Sequence, residues 1–272
     1  DWVSFAGCGA GGPCTLRLLD PPLHEFLPHD EVGQRELAAS LGIDIEVLQA
    51  RLFALHESNP MLGHRGCRLG ISYPEIYDCQ VRAILQAACN VQRDGVRAIP
   101  EIMIPLIAEA RELERIRARV EALAEGIFAA AGVSIDYQVG TMIEIPRAAI
   151  TADRVARHAD FFSFGTNDLT QMTWGFSRDD VASFLPRYFE DGLIELDPFE
   201  VLDEEGVGVL MRLATESGRR TRPGLKVGIC GETGGEPRRI GFCHPLGVDY
   251  VSCSPYRLLG ARLAAAQAAL AG

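Results

Sequence analysis

Short apolar runs rich in β-branched residues alternate along this chain with longer stretches of helical period, the signature of a parallel sheet built from strand–helix units. The pattern predicts strands at Thr15 to Leu19, Ile102 to Leu106, Val139 to Ile145, Phe161 to Gly165, Lys226 to Cys230 and Tyr250 to Cys253. A further, weaker strand is expected around Gly63 to Leu69, where His64, Arg65 and Arg68 interrupt the apolar pattern. Between strands, Leu113, Ile116, Val120, Leu123 and Ile127 recur at spacings of three and four, which places them on one buried helix stripe. Asp30 to Glu57 reads as two helices joined near Gly42 to Asp44, an excursion longer than a plain connection. Ser254 to Ala271, rich in Ala and Leu, closes the pattern as a helix.

With the weak strand included, the count falls one short of a TIM-type (β/α)8 barrel, whose closure needs consistent strand number and tilt. The expected fold is therefore α/β, a TIM-type (β/α)8 barrel lacking or substituting its first strand. Residues 1–14 are expected as a poorly ordered or substitute segment, with Trp2 to Ala6 as a replacement strand, and residues 15–272 as the barrel domain. Gly7, Gly9 and Gly12 satisfy GxGxxG, but that pattern means dinucleotide binding only when it follows a strand and opens a helix. Here Pro13 and a strand follow, so the glycines read as a loop.

Composition narrows the class. At 272 residues and 47% hydrophobic content the chain can bury one large core. A net charge of −11 argues against a nucleic-acid surface, which needs clustered Lys and Arg, while leaving room for small anions bound locally. No apolar run approaches the roughly 20 residues of a membrane span, and the N-terminus lacks the order of a signal peptide, so a soluble cytoplasmic protein is expected. Of the eight cysteines, Cys67, Cys79, Cys89, Cys230, Cys243 and Cys253 are scattered through apolar segments without framework spacing or a CxxC pair, which favours reduced thiols.

Candidate chemistry gathers at strand ends. Gly140-Thr-Met-Ile-Glu-Ile-Pro146 places Glu144 near the C-terminal end of an apolar strand, where barrel enzymes keep catalytic groups; pairing with a core arginine is an equally weighted reading. Phe164-Gly-Thr-Asn-Asp-Leu-Thr-Gln171 repeats the arrangement with Asn167 and Asp168. Glu144 and Asp168 from neighbouring strands would make a pair of hard oxygen ligands, the usual protein share of a Mg2+ site. Asn167 is either a substrate contact or a turn former. Arg17 and Arg65, at the ends of other predicted strands, suit an oxyanion by their fork of donors, or else form salt bridges to Glu144, Asp20 or Asp168. Arg178, in Gly175-Phe-Ser-Arg-Asp-Asp180, has the weakest case by pattern. Cys230 sits where a strand runs into Gly231-Glu-Thr-Gly-Gly235; such a thiol is core filler unless cations or a metal bring its pKa near neutrality. Cys253 ends the next strand in the same way. His24 and His64 read as structural.

Leu18-Leu-Asp-Pro-Pro-Leu-His-Glu-Phe26, Asn59-Pro-Met-Leu-Gly-His-Arg-Gly-Cys-Arg68, Pro100-Glu-Ile-Met-Ile-Pro105, Gly140 to Arg147, Phe161 to Asp180 and Tyr250-Val-Ser-Cys-Ser-Pro255 together resemble the pyruvate, phosphate dikinases among the enzymes that use phosphoenolpyruvate. The resemblance runs from Thr15 to the C-terminus. It implies a TIM-type barrel, a Mg2+ requirement and reversible conversion of pyruvate to phosphoenolpyruvate by phosphoryl exchange with a histidine on a separate domain. By the same resemblance Arg17 and Arg65 would hold the phosphoryl group, Glu144 and Asp168 would bind Mg2+, and Asn167 and Arg178 would contact substrate. Cys230 would be the acid/base at the methyl or methylene carbon. The family also implies a homodimer.

Three departures bear on that expectation. The family carries a further arginine on the first barrel strand, and this sequence starts after it. The phosphohistidine and ATP-binding domains of the family have no counterpart in these residues. Thr233 stands where the family has His. Two competing readings are a non-catalytic assembly or regulatory fragment of the same fold and a Mg2+-dependent oxo-acid aldolase or lyase.

Overall fold

A computed structural model of the chain describes residues 12–55, 60–230 and 236–271, without the side chains of residues 23, 24 and 60. The expectations placed on Trp2 to Ala6, Gly7, Gly9, His24 and Thr233 lie outside what it describes. Six strands form one parallel sheet in sequence order: β1 (Pro13–Arg17), β2 (Ile99–Ile104), β3 (Gln138–Ile143), β4 (Phe161–Gly165), β5 (Lys226–Cys230) and β6 (Tyr250–Val251). Each of the six predicted strands is present. β1 begins and ends two residues earlier than predicted, and β6 stops at Val251, although Ser252 still donates its N–H to the Ile229 carbonyl.

The helices are α1 (Glu31–Leu41), α2 (Ile45–Leu55), α3 (Gly66–Ser72), α4 (Pro74–Arg93), α5 (Ala110–Ala131), α6 (Pro146–Ile150), α7 (Ala152–Val155), α8 (Thr166–Trp174), α9 (Leu185–Glu190), α10 (Val207–Thr221), α11 (Pro237–Cys243) and α12 (Leu258–Ala271). α1 and α2 are the predicted excursion, separated at Gly42, whose φ of 65° suits a residue without Cβ. α5 buries Leu113, Ile116, Val120 and Ile127 of the predicted stripe. It opens with a capping box in which Glu109 and Glu112 satisfy each other's backbone N–H.

The expected weak strand at Gly63 to Leu69 is instead a turn leading into α3. Its period is helical: Cys67 and Gly70 are buried at a spacing of three, with Leu69 beside them, and Tyr77 packs where a Gly70 side chain would stand. Arg68 folds back to donate to the Leu62 and Gly63 carbonyls, both at 2.8 Å, closing the turn that leads in.

An eight-stranded closed barrel is not formed among the described residues; the sheet is a parallel half-barrel with β1 and β6 at its edges. It is nevertheless curled. β2 and β5 lie three ladder steps apart, about 14 Å in a flat sheet. Yet Lys226 Nζ on β5 reaches Glu101 Oε1 on β2 at 2.7 Å, and Met103, Met142, Phe161 and Cys230 share one apolar cluster on the concave face. Alternation does the sorting. Thr15 and Arg17, Glu101 and Met103, Gly140 and Met142, Ser163 and Gly165, and Gly228 and Cys230 line the concave side. Their neighbours Leu16, Ile102, Ile104, Val139, Ile143, Phe162, Phe164, Val227 and Ile229 pack outward in the main core with the helices.

Candidate active site

At the C-terminal ends of the strands, the concave face opens into a cavity of about 200 Å³ lined by Arg17, Met103, Met142, Glu144, Gly165, Thr166, Asn167, Asp168 and Cys230. Five of the predicted site residues therefore converge: Arg17, Glu144, Asn167, Asp168 and Cys230. Arg65 stands just behind, with Nη1 3.9 Å from Asp168 Oδ1. Arg178 is not brought in. It is exposed on the turn after α8, where its backbone N–H donates to Gln171 Oε1 at 2.8 Å.

Glu144 is the centre of the arrangement. It lies one residue past β3 with no exposed surface, and Oε1 accepts the Leu106 N–H at 2.6 Å. Leu106 is the one described non-glycine residue in the left-handed region, at φ 62°, and that twist aims its amide at the carboxylate. α3 holds the twist in place, since Cys67 donates its thiol to the Leu106 carbonyl at 3.1 Å and Gly66 packs against the Leu106 side chain. Glu144 Oε2 is buried and accepts no hydrogen bond. Gly165 leaves it room: a Cβ there would lie 2.5 Å from Oε2.

Asp168 and Asn167 occupy the first turn of α8, directly beyond β4. Burial raises the pKa of Glu144 well above the carboxylate range, helped by the negative charges of Asp168 and Asp20. Burial also raises Asp168, against the pull of Arg65. Two carboxylates pushed up together are under-compensated, which is the condition a bound cation relieves. A carboxylate oxygen with no acceptor role filled, beside a second carboxylate, fits Mg2+, which takes one or two protein carboxylates and fills its other positions with water and substrate oxygens. No cluster of three or more His, Cys, Asp or Glu with metal-binding proximity occurs among the described residues.

Asp20 is the residue that pattern reading undervalued. It was named only as a salt-bridge partner, yet it organises both arginines. Its Oδ2 accepts from Arg65 Nη2 at 2.6 Å and lies 3.7 Å from Arg17 Nη1, while its main-chain carbonyl accepts from Arg65 Nε at 3.2 Å. The available signal was its place in Leu19-Asp-Pro-Pro22, a turn directly past β1. Arg17 is half exposed and lines the cavity; its Nη1 also approaches Met142 Sδ at 4.0 Å.

Cys230 ends β5 with its thiol toward the Phe164 carbonyl at 3.4 Å. Burial pushes its pKa up to about 11, with Glu144 adding to the effect and Arg17 opposing it. Among the described residues, Ser163 and Arg17 pull the thiol down without overcoming burial. No described cysteine is in a disulfide. His64 lies against Tyr73 with ring centroids 5.6 Å apart and the rings tilted by 34°.

The half-barrel gathers paired acids, arginines and a thiol at its strand ends, and known proteins share the sequence that builds it. The family model described as PEP-utilising enzyme, PEP-binding domain, matches residues 5–270, and the chain belongs to that family. It is 58% identical over 273 residues to the pyruvate, phosphate dikinase of Rhizobium meliloti (strain 1021), covering 100% of this chain and 30% of that protein. It is 56% identical over 261 residues to pyruvate, phosphate dikinase of Clostridium symbiosum, covering 96% and 30%. A chloroplastic pyruvate, phosphate dikinase of Mesembryanthemum crystallinum is 58% identical over 259 residues, covering 94% and 27%. The chain therefore spans just under a third of the length of these relatives. No helix among the described residues is long and apolar enough to cross a membrane.

Proposed function

We propose that this chain is the phosphoenolpyruvate- and pyruvate-binding catalytic domain of a pyruvate, phosphate dikinase, a phosphotransferase that exchanges a phosphoryl group between its substrate and a phosphohistidine on another domain. The observation that carries the reading is the convergence of Arg17, Glu144, Asn167, Asp168 and Cys230 on one small cavity, in a chain more than half identical to proteins of that name. A hollow of about 200 Å³ suits a three-carbon acid and its phosphoryl group.

Each residue has a task in this scheme. Glu144 and Asp168 hold Mg2+, which when bound supplies the positive charge that stabilises an enolate oxygen and a transferring phosphoryl group. Arg17 presents its guanidinium to the phosphoryl oxygens from the cavity mouth; Arg65, fixed by Asp20, adds positive charge from behind. Asn167 offers its amide to the substrate carboxylate. Arg178 reaches the substrate only if the turn after α8 closes over the cavity. Cys230 donates its thiol proton to the methylene carbon of the enolate, yielding the methyl group of pyruvate; in the reverse direction the thiolate removes that proton. A thiol pushed up to about 11 by burial is suited to giving up its proton to carbon only as a donor held in place.

Two further assignments belong to the same reading. The absence of disulfides among described cysteines suits a reducing compartment, the cytoplasm or, as for the relative named chloroplastic, a plastid. α12 exposes Leu259, Leu263 and Leu270, which supports pairing of two copies through this end of the molecule. The test of the function is exchange of pyruvate methyl protons with deuterated solvent: Mg2+-dependent exchange by the parent chain, lost in Cys230→Ala, is the expected result. Exchange that persists in Cys230→Ala removes the thiol from the mechanism.

A further inference from the structure

Arg239 is buried in α11 with 2% of its surface exposed. A guanidinium does not shed its charge inside a protein, and a buried charge without a counter-ion is costly. Among the described residues no carboxylate forms an ion pair with it. Glu236 is the nearest acid in sequence, but its carboxylate caps the helix, accepting the backbone N–H of Arg238 at 3.0 Å and of Arg239 at 2.8 Å. Burial works against its charge; Glu236 offsets part of that from a distance, and Arg257 adds positive charge nearby. Nε of Arg239 is buried without an acceptor. A side chain placed this way is weak support for the stability of the fold, since an apolar chain of similar volume is often tolerated as well or better.

Its one side-chain hydrogen bond shows what it does. Arg239 Nη1 donates to Thr166 Oγ1 at 2.7 Å. Thr166 is buried, opens α8 one residue before Asn167, and lines the cavity. Having accepted from Arg239, the hydroxyl spends its single proton on the Cys230 main-chain carbonyl at 3.4 Å. A buried cation, a buried hydroxyl and the end of β5 thus form one line. That line ties the residue carrying the thiol to the turn carrying Asn167 and Asp168.

We propose that Arg239 is a positioning residue: through Thr166 it locks the end of β5 against the first turn of α8, so that the Cys230 thiol keeps one geometry relative to Asn167 and Asp168. The catalytic consequence rests on the reading of Cys230 as proton donor, but the geometric claim does not.

The test uses Arg239→Met, Arg239→Lys and Thr166→Val in the full chain, with three readouts. These are thermal melting, the rate of iodoacetamide alkylation of Cys230 followed by peptide mass spectrometry with the exposed Cys79 as internal reference, and Mg2+-dependent exchange of pyruvate methyl protons. Arg239→Met is expected to melt at or above the parent temperature. Its Cys230 should alkylate about ten-fold faster, because the strand end opens locally. Its exchange should fall by on the order of ten-fold in kcat with little change in KM, the mark of a misplaced reacting group. Thr166→Val should reproduce both rate changes, and Arg239→Lys should recover most of each. The proposal is overturned if Arg239→Met or Thr166→Val leaves Cys230 alkylation at the parent rate, or if Arg239→Met melts lower and loses exchange only in step with unfolding. A parent chain that exchanges no protons would sink the proposed function, while the alkylation comparison would still decide the role of Arg239.

Discussion

Glu101 and Glu144 are two buried glutamates on the concave side of the same sheet, and their surroundings differ in one respect. Glu101 lies toward the N-terminal ends of the strands with 2% of its surface exposed, and both its oxygens are filled. Oε2 accepts from Thr15 Oγ1 at 2.6 Å and Oε1 from Lys226 Nζ at 2.7 Å, while the Lys226 ammonium also sits 4.7 Å above the Tyr250 ring. Glu144, at the opposite ends of the strands, accepts one amide and leaves Oε2 without a donor, facing Asp168, a second acid. A buried carboxylate whose hydrogen bonds and charge are satisfied closes the floor of the half-barrel. One left unsatisfied is a cost the fold carries, and it marks the place where a ligand completes the structure.

That contrast can be broken most severely at Glu144. Glu144→Ala should abolish Mg2+-dependent phosphoenolpyruvate binding, with a loss beyond the roughly 10–100-fold typical of outer-shell partners, measured by titration calorimetry. Cys230→Ala should leave that affinity nearly unchanged while slowing methyl-proton exchange by about 100-fold or more, read by NMR in deuterated solvent. Glu101→Gln should do the reverse of Glu144→Ala. With Lys226 29% exposed and able to reach solvent, the loss of the pair should cost about 2 kcal/mol in chemical denaturation and leave ligand affinity alone.

The smallest effect concerns pH. The folded pKa values of Glu144 and Asp168 are raised, so the stability they contribute is fully present below the ordinary carboxylate value of about 4 and is lost as pH rises through their raised values. Without ligand the chain should therefore melt a few degrees lower at neutral pH than this pair alone would allow in acid. Mg2+ with phosphoenolpyruvate should remove that slope, and Glu144→Gln should weaken it.

Much of the site was readable because each strand ends where its apolar run meets a residue that does not belong in a core. Glu144 and Asp168 stand out in this way, and Cys230 by its place where a strand runs into a glycine-rich turn. What pattern reading missed depends on contacts between distant segments. The weak strand at Gly63 to Leu69 is a helix because Cys67 and Leu69 pack inward and Tyr77 covers Gly70, neither of which is visible in local propensity. Asp20 matters through Arg17 and Arg65, one of them 45 residues away. Arg239, in a segment of polar appearance, is buried and bonds Thr166, 73 residues earlier. The eight-stranded closure was inferred from strand counting, and counting does not tell a helical turn from a short strand.

The most direct test of the central claim is calorimetric titration of the folded chain with phosphoenolpyruvate, with and without Mg2+, for the parent, Glu144→Ala and Glu101→Gln. Binding that requires Mg2+, is lost in Glu144→Ala and survives in Glu101→Gln is the predicted result. Binding that ignores Mg2+, or that Glu144→Ala retains, would contradict the assignment of the open glutamate as the metal's ligand.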